Sequence, residues 1–344
     1  MRTAILVVLL ISNSFAEMWL PQESHTKESL RGLSVVSSSV VWASGTHGTY
    51  LRTTDSGKTW VPAQVPGAES LDFRDVEAFS ADLAYLLAAG PGEQSRIYKT
   101  DDGGKHWDPQ VTNHEPKGFL DCMAFWDPQR GIVVGDPVNG KFQLLTTSDG
   151  GQHWNYVSPD NLPPAKEGEG ALAASGTCIT TQGKSNVWFV TGGSAARVFR
   201  STDAGKSWSV SETPITHGPA SAGIFSIAFR DAKHGVIAGG DYKEPEKGGD
   251  NLAKTNDGGK TWKLVRLSQQ KYFSGIAYLR EHQGWVFAGG SSGLAFSKNE
   301  LRSWKEFVPG KVNAIASDNS GSIWVVGPDG NILRAEFPVV IRVD

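Results

Sequence analysis

One eight-residue phrase constrains this chain more than any other feature. It runs Thr53-Thr54-Asp55-Ser56-Gly57-Lys58-Thr59-Trp60 and returns four more times, ending at Trp107, Trp154, Trp208 and Trp262, with a worn sixth copy ending at Trp304. The closing tryptophans are 47, 47, 54, 54 and 42 residues apart. A period in this range marks supersecondary units that are stacked or set in a ring, because one unit cannot bury its own apolar face. The phrase itself reads as a hairpin turn. Its Asp and Ser/Thr oxygens can accept backbone N–H bonds, and the Gly two places after the Asp supplies positive φ without a Cβ clash. The Trp then opens the next strand as an apolar anchor.

Each unit follows one plan: an apolar strand, a polar turn, a second strand ending in small residues, and a third strand leading into the phrase. Val76 to Phe79, Ala84 to Gly90 and Arg96 to Lys99 show it, as do Cys122 to Phe125, Gly131 to Gly135 and Phe142 to Leu145. Seven units are expected from Leu33 onward. The last, from Val312 to Ala335, has three strand-like runs and no phrase. Trp19 and its neighbours resemble the strand that follows each phrase, so they are expected to supply the missing fourth strand and latch the ring. The expected fold is therefore an all-β, seven-bladed propeller of four-stranded antiparallel blades, a closed form that leaves no long free edges.

The first residues have the order of a secretory signal: Arg2, an apolar run from Ala4 to Ile11, and a small-x-small exit at Ser14-Phe15-Ala16. Cleavage is expected after Ala16, leaving 17–344 as the propeller, an exported periplasmic or secreted monomer. The apolar run is too short to span a bilayer, and no Cys follows it, which counts against a bacterial lipid anchor. With a net charge of -3 and interspersed signs, nothing suggests a nucleic-acid surface. The two cysteines, Cys122 and Cys178, fall in apolar runs, where buried free thiols are the expected state and a disulfide the alternative.

The phrase is similar to the Asp-box, or BNR repeat, of sialidase-like β-propellers. That resemblance implies that the boxes build the fold and lie away from any active site. The unit pattern more closely resembles the photosystem II stability and assembly factor family, through Phe73-Arg74-Asp75-Val76, Gly284-Trp285-Val286 and the paired glycines before the third strand. This likeness spans about residues 18 to 337 and implies architecture rather than activity.

Several partial motifs carry no chemistry. Gly57-Lys58-Thr59 and its repeats lack the earlier glycine of a phosphate loop. Gly289 to Gly293 fits Gly-x-Ser-x-Gly with no following helix. The boxes lack a calcium loop's ligand alternation, and His114 and His217 lack a metal-ligand spacing. No cofactor is expected, since neither a dinucleotide fingerprint nor a redox motif is present.

Loops between second and third strands, together with those joining units, should share the face opposite the boxes, where binding residues concentrate. Arg31, Arg74, Arg197, Asp241 and Tyr242 are the binding candidates there. The leading expectation is a non-catalytic scaffold that presents this face and the axial opening to a protein or glycan. The alternative is a glycoside hydrolase or lyase using two of Asp121, Asp136, Glu169 and Asp241.

Overall fold

The structure is a computed structural model that describes residues 19–266, 271–280, 282, 284–307 and 310–337. The expected leader lies outside these residues. Seven antiparallel blades of four strands follow one another along the chain, and two short strands, Glu169–Gly170 and Gly192–Gly193, extend the sheet of blade 5 to six. Blade 1 holds Leu30–Val35, Val41–Gly45, Thr49–Thr53 and Val61–Gln64. Blade 2 holds Phe73–Ala78, Ala84–Ala88, Arg96–Thr100 and Asp108–Thr112, and blade 3 Leu120–Asp127, Arg130–Val138, Lys141–Thr147 and Asn155–Tyr156. Blade 4 holds Ile179–Gln182, Asn186–Val190, Arg197–Ser201 and Ser209–Glu212, and blade 5 Ala222–Phe229, Gly235–Asp241, Leu252–Thr255 and Lys263–Leu264. Blade 6 holds Gly275–Tyr278, Val286–Gly290, Gly293–Ser297 and Lys305–Phe307. Blade 7 takes Ala314–Ser317, Ser322–Val326 and Ile332–Glu336 from one end of the chain and Trp19–Gln22 from the other.

That last pairing closes the ring as expected. Trp19 sits opposite Ala335 and Gln22 opposite Ile332, in antiparallel register. First strands of neighbouring blades touch all the way round, including blade 7 against blade 1. They form the inner wall.

The repeated turn is built as its residue types require. In blade 1, Thr53 Oγ1 accepts the Gly57 N–H at 3.0 Å and donates to Asp55 Oδ1 at 2.8 Å. Asp55 in turn accepts the Thr59 N–H and hydroxyl at 2.9 and 2.6 Å. The same bonds recur in blades 4 and 5 with Asp203 and Asp257, while in blades 2 and 3 a His ring replaces the second hydroxyl.

Glycine is required here twice over. Gly57, Gly104, Gly151, Gly205 and Gly259 all have φ between 82 and 87°, and a Cβ on any of them would crowd the preceding blade. The obstructing groups are Trp324, Tyr50, Tyr85, Ile132 and Trp188 in that order. The turn is thus a weld between blades. In the worn copy Leu301 occupies the glycine place at φ 69°, where an L side chain is strained.

The apolar core is divided into interfaces between blades. Trp42, Tyr85, Trp188 and Trp324, all on second strands, are fully buried there, and the turn tryptophans pack beside them. Trp60 meets Trp324 edge-on at 5.8 Å, and Trp107 meets Trp42 at 6.2 Å.

One expectation is corrected. Cys122 and Cys178 are joined as a disulfide with Cα atoms 6.0 Å apart. Both side chains are fully buried, as their apolar neighbours required. The two runs face each other between blades 3 and 4, so burial brings the sulfurs together instead of isolating them.

Candidate functional site

The site begins with a defect in strand pairing. In blade 1, Leu30 pairs with Gly45 and Gly32 with Ser44, so Arg31 is an extra residue. The same slip leaves Arg74 unpaired in blade 2, Asp121 in blade 3 and Phe225 in blade 5. A bulge of this kind bends the strand and re-aims one side chain. All four lie on inner strands, toward the ends that adjoin the loop-rich face. Of the four, Arg31 and Arg74 keep part of their side-chain surface at the axial mouth, whereas Asp121 and Phe225 are buried beneath it.

Asp72 holds the two arginines. Its carboxylate accepts from Arg74 Nε at 2.8 Å and lies 3.6 Å from Arg31 Nε. The two guanidinium groups keep 30% and 28% of their side-chain surface, so the mouth is partly open and carries one more positive charge than negative from these three groups. Arg31 Nε and Asp72 Oδ1 are buried atoms without a hydrogen-bond partner. Desolvation lowers the Arg31 pKa, with Asp72 opposing. Across the mouth Phe225 meets Tyr272 edge-on at 5.0 Å and the half-exposed Tyr242 at 6.2 Å. The exposed Tyr242 ring, backed by the buried Phe225 and Tyr272, and the guanidinium pair can grip a peptide: the ring covers an apolar side chain and the guanidinium N–H groups take carbonyl or carboxylate oxygens.

Asp121 is different. It is 1% exposed, and burial, with Asp136 adding repulsion, pushes its carboxyl well above the usual range. Asp136 accepts the Ala171 N–H at 3.0 Å, and desolvation raises it to about 6. Glu169 and Arg197 sit away from the mouth as a buried ion pair. Arg197 Nε donates to Glu169 Oε1 at 2.8 Å and Nη2 to Oε2 and to the Pro164 carbonyl, while Thr191 Oγ1 gives Oε1 a further bond at 2.6 Å. Asp241 caps the turn at Lys243 N, 2.9 Å away. His114 pairs with Glu93 at 3.0 Å on the surface, and the His217 ring lies against the Ile215 carbonyl at 2.9 Å.

Of the sequence candidates, Arg31, Arg74 and Tyr242 converge at the mouth. Arg197, Glu169 and Asp136 are engaged inside the fold, and Asp121 is sealed beneath the mouth. Sequence reasoning missed Asp72, Phe225 and Tyr272. The aligned starts Leu30-Arg31-Gly32, Phe73-Arg74-Asp75 and Leu120-Asp121-Cys122 could have revealed the shared bulge.

The axial opening expected to take part in binding is filled by the chain itself. Ala171 bonds to Asp136 of blade 3, the Ala173 carbonyl accepts from Arg74 Nη1 of blade 2 at 2.9 Å, and Ser175 Oγ donates at 3.0 Å to the Ser274 carbonyl beside blade 6.

Fold and mouth together define a class: a closed seven-bladed β-propeller with a cationic and aromatic mouth on its loop-rich face, and no helix among the described residues long and apolar enough to cross a membrane. Its homologues are photosystem II assembly factors. The chain is 27% identical over 249 residues to the photosystem II assembly lipoprotein Ycf48 of Synechococcus sp. (strain CC9902), covering 70% of this chain and 67% of that protein. It is 23% identical over 308 residues to the chloroplastic photosystem II stability/assembly factor HCF136 of Arabidopsis thaliana, covering 84% and 71%. Among solved structures, YCF48 bound to D1 peptide superposes with a TM-score of 0.68 at 16% identity, over 93% of this chain and 95% of that one. No family model matches the chain.

Proposed function

We propose that this protein is a non-catalytic, assembly-factor-like scaffold that captures an extended segment of a protein partner at the mouth formed by Arg31, Arg74, Phe225, Tyr242 and Tyr272. The observation that carries this is the shared bulge, which in blades 1 and 2 turns Arg31 and Arg74 to one place, where Asp72 holds both. Functional residues concentrate where a rigid frame presents irregular backbone. Support comes from the homologues, which are named as photosystem II assembly factors, and from the YCF48 structure that carries a D1 peptide. The burial of Asp121 and the engagement of Asp136, Glu169 and Asp241 by their own neighbours weigh against the hydrolase alternative, which needs two carboxyls on an open groove. Residues 1–16 are read as a leader and 17–344 as the exported, monomeric propeller. The repeated turns are read as Asp-boxes that serve the frame alone.

The test is direct binding of a labelled D1 peptide to the purified protein, followed by fluorescence anisotropy. The Arg31→Ala/Arg74→Ala double variant should lose at least tenfold in affinity while keeping its melting temperature within a few degrees. Equal affinity in variant and parent would reject this mouth as the docking site. Release of sugar from any member of a glycan panel would favour a hydrolase.

A further inference from the structure

The segment between Gly170 and Cys178 departs from the blade plan. It belongs to blade 4, yet within two residues Ser175 bonds to Ser274 beside blade 6 and Gly176 packs on Asp75 of blade 2. Blades 2 and 6 are three places apart round the ring, so one short segment can reach both only across the axis. Its other contacts agree. Arg74 of blade 2 donates to the Ala173 carbonyl, Asp136 of blade 3 accepts the Ala171 N–H, and Thr177 Oγ1 lies 2.7 Å from Ser226 Oγ of blade 5. The segment has no sheet partners over 171–177. Bonds from the inner wall hold it instead, among them the Ile227 N–H of blade 5 on the Thr177 carbonyl at 2.9 Å.

One covalent bond fastens it. Cys178 ends the segment and is bonded to Cys122, the residue after the bulged Asp121. We propose that residues 171–177 are a stopper laid across the propeller axis, latched by the Cys122–Cys178 disulfide, and that opening the disulfide frees the stopper to leave the axis. Such a device makes the depth of the mouth depend on redox state, because the stopper is both its floor and the acceptor that orients Arg74. Reduction by a dithiol balances simply. The S–S bond breaks, two electrons and two protons from the reductant leave Cys122 and Cys178 as thiols, and the reductant closes to its own disulfide. Both sulfurs are fully buried, so the reductant reaches them only when the segment lifts. The stopper and its latch do not depend on which partner the mouth takes.

Gly176 gives a second handle that leaves the disulfide intact. A Cβ there would lie 2.2 Å from Asp75 Oδ1, at φ +74°. Amide hydrogen exchange read by mass spectrometry tests the proposal on four samples: the parent with and without dithiothreitol, the Cys122→Ser/Cys178→Ser double variant, and Gly176→Ala. Peptides covering 171–177 should exchange at least ten times faster in the reduced parent, in the double variant and in Gly176→Ala than in the oxidised parent. Peptides covering the inner strands of blades 5 and 6 should be unchanged. Equal protection of 171–177 in all samples would overturn the stopper. A uniform rise round the whole ring would show that the disulfide supports the fold at large and would overturn the latch.

Discussion

The hydroxyl of Tyr85, on the second strand of blade 2, donates at 2.7 Å to the Gly150 carbonyl in the turn of blade 3. Lys99 Nζ reaches the same oxygen at 2.8 Å. The neighbouring Gly151 sits so close to the Tyr85 ring that a Cβ on it would lie 3.0 Å from the ring edge. Comparable bonds run from Tyr50 to Gly104 and from Trp188 to Gly258. The repeated turn is where one blade is fixed to the one before it.

Two variants separate the parts of this weld. Tyr85→Phe removes one neutral hydrogen bond while Lys99 continues to serve the carbonyl, so it should cost about 1 kcal/mol. Gly151→Ala forces a side chain into the left-handed region, worth roughly 1–2 kcal/mol, and also against the ring. It should therefore be the more damaging change by thermal and urea unfolding. A larger loss in Tyr85→Phe would mean that the hydroxyl, not the glycine contact, holds the blades together.

Glu169 and Arg197 should behave as a structural pair. Glu169→Ala leaves a buried guanidinium unpaired, and removing one partner of such a pair costs on the order of 3–5 kcal/mol. Affinity for a mouth ligand, measured on the folded fraction at low temperature, should stay within about twofold of the parent, since neither residue lies at the mouth. A variant of normal stability that no longer binds would instead place Arg197 in the recognition surface.

Stability should fall on both sides of a mildly acidic optimum, for two different groups of carboxyls. The turn carboxylates are held low by their bonds: Asp55 to about 2 by the Thr59 hydroxyl and N–H, and Asp149 to about 2 by the His153 N–H and ring. Their contribution is present above the unfolded value of about 4 and is lost as pH falls toward 2. The inner carboxyls run the other way, because burial favours their protonated forms. Asp136 is raised to about 6 and Glu77 to about 7, the latter eased by Arg280, and Asp75 is raised by burial and by Glu77. Their folded state holds more protons than the unfolded chain, so stability is full below about pH 4 and declines as pH rises through 6 to 7. Melting temperature should thus be highest near about pH 4–5. Asp136→Asn keeps an acceptor for the Ala171 N–H and should flatten the alkaline decline by a few degrees. An unchanged slope would show that Asp136 ionises as freely in the fold as in the unfolded chain.

The ring was legible because its information is local and repeated. Five copies of one turn disclose their own hydrogen bonding, and the lack of a turn in the last unit pointed to Trp19 as the missing strand. The mouth was half legible. Arg31, Arg74 and Arg197 are alike as candidates on the loop-rich face, and only the bonds to Glu169 show that the charge of Arg197 is engaged inside the fold. Phe225 and Tyr272 read as ordinary core aromatics, since nothing local says that a bulge turns one of them to the mouth. The stopper was not legible at all. Ala171 to Thr177 is a run of small residues, Leu172 apart, with no period, and its contacts lie in blades 2, 3, 5 and 6, far away in the sequence.

The joint between the chain ends offers the most direct test of the ring. Trp19 is 6% exposed and meets Phe287 of blade 6 edge-on at 6.2 Å, while its strand covers the outer side of Ile332–Glu336. Trp19→Ala removes a large buried ring and should cost roughly 3–5 kcal/mol. A chain beginning at Glu23 should lose more, because it also bares the backbone groups of Ile332–Glu336 as a free edge, which invites pairing with another chain. That truncated protein should elute partly as dimers or larger species on size exclusion. Because the missing strand is a separable piece that docks by backbone pairing, a synthetic peptide of residues 17–24 added in excess should restore the monomer and raise its melting temperature. A peptide with Trp19 replaced by Ala should restore little. If the truncated chain stays monomeric and as stable as the parent, blade 7 holds with three strands and the ends of the chain are not what closes the ring.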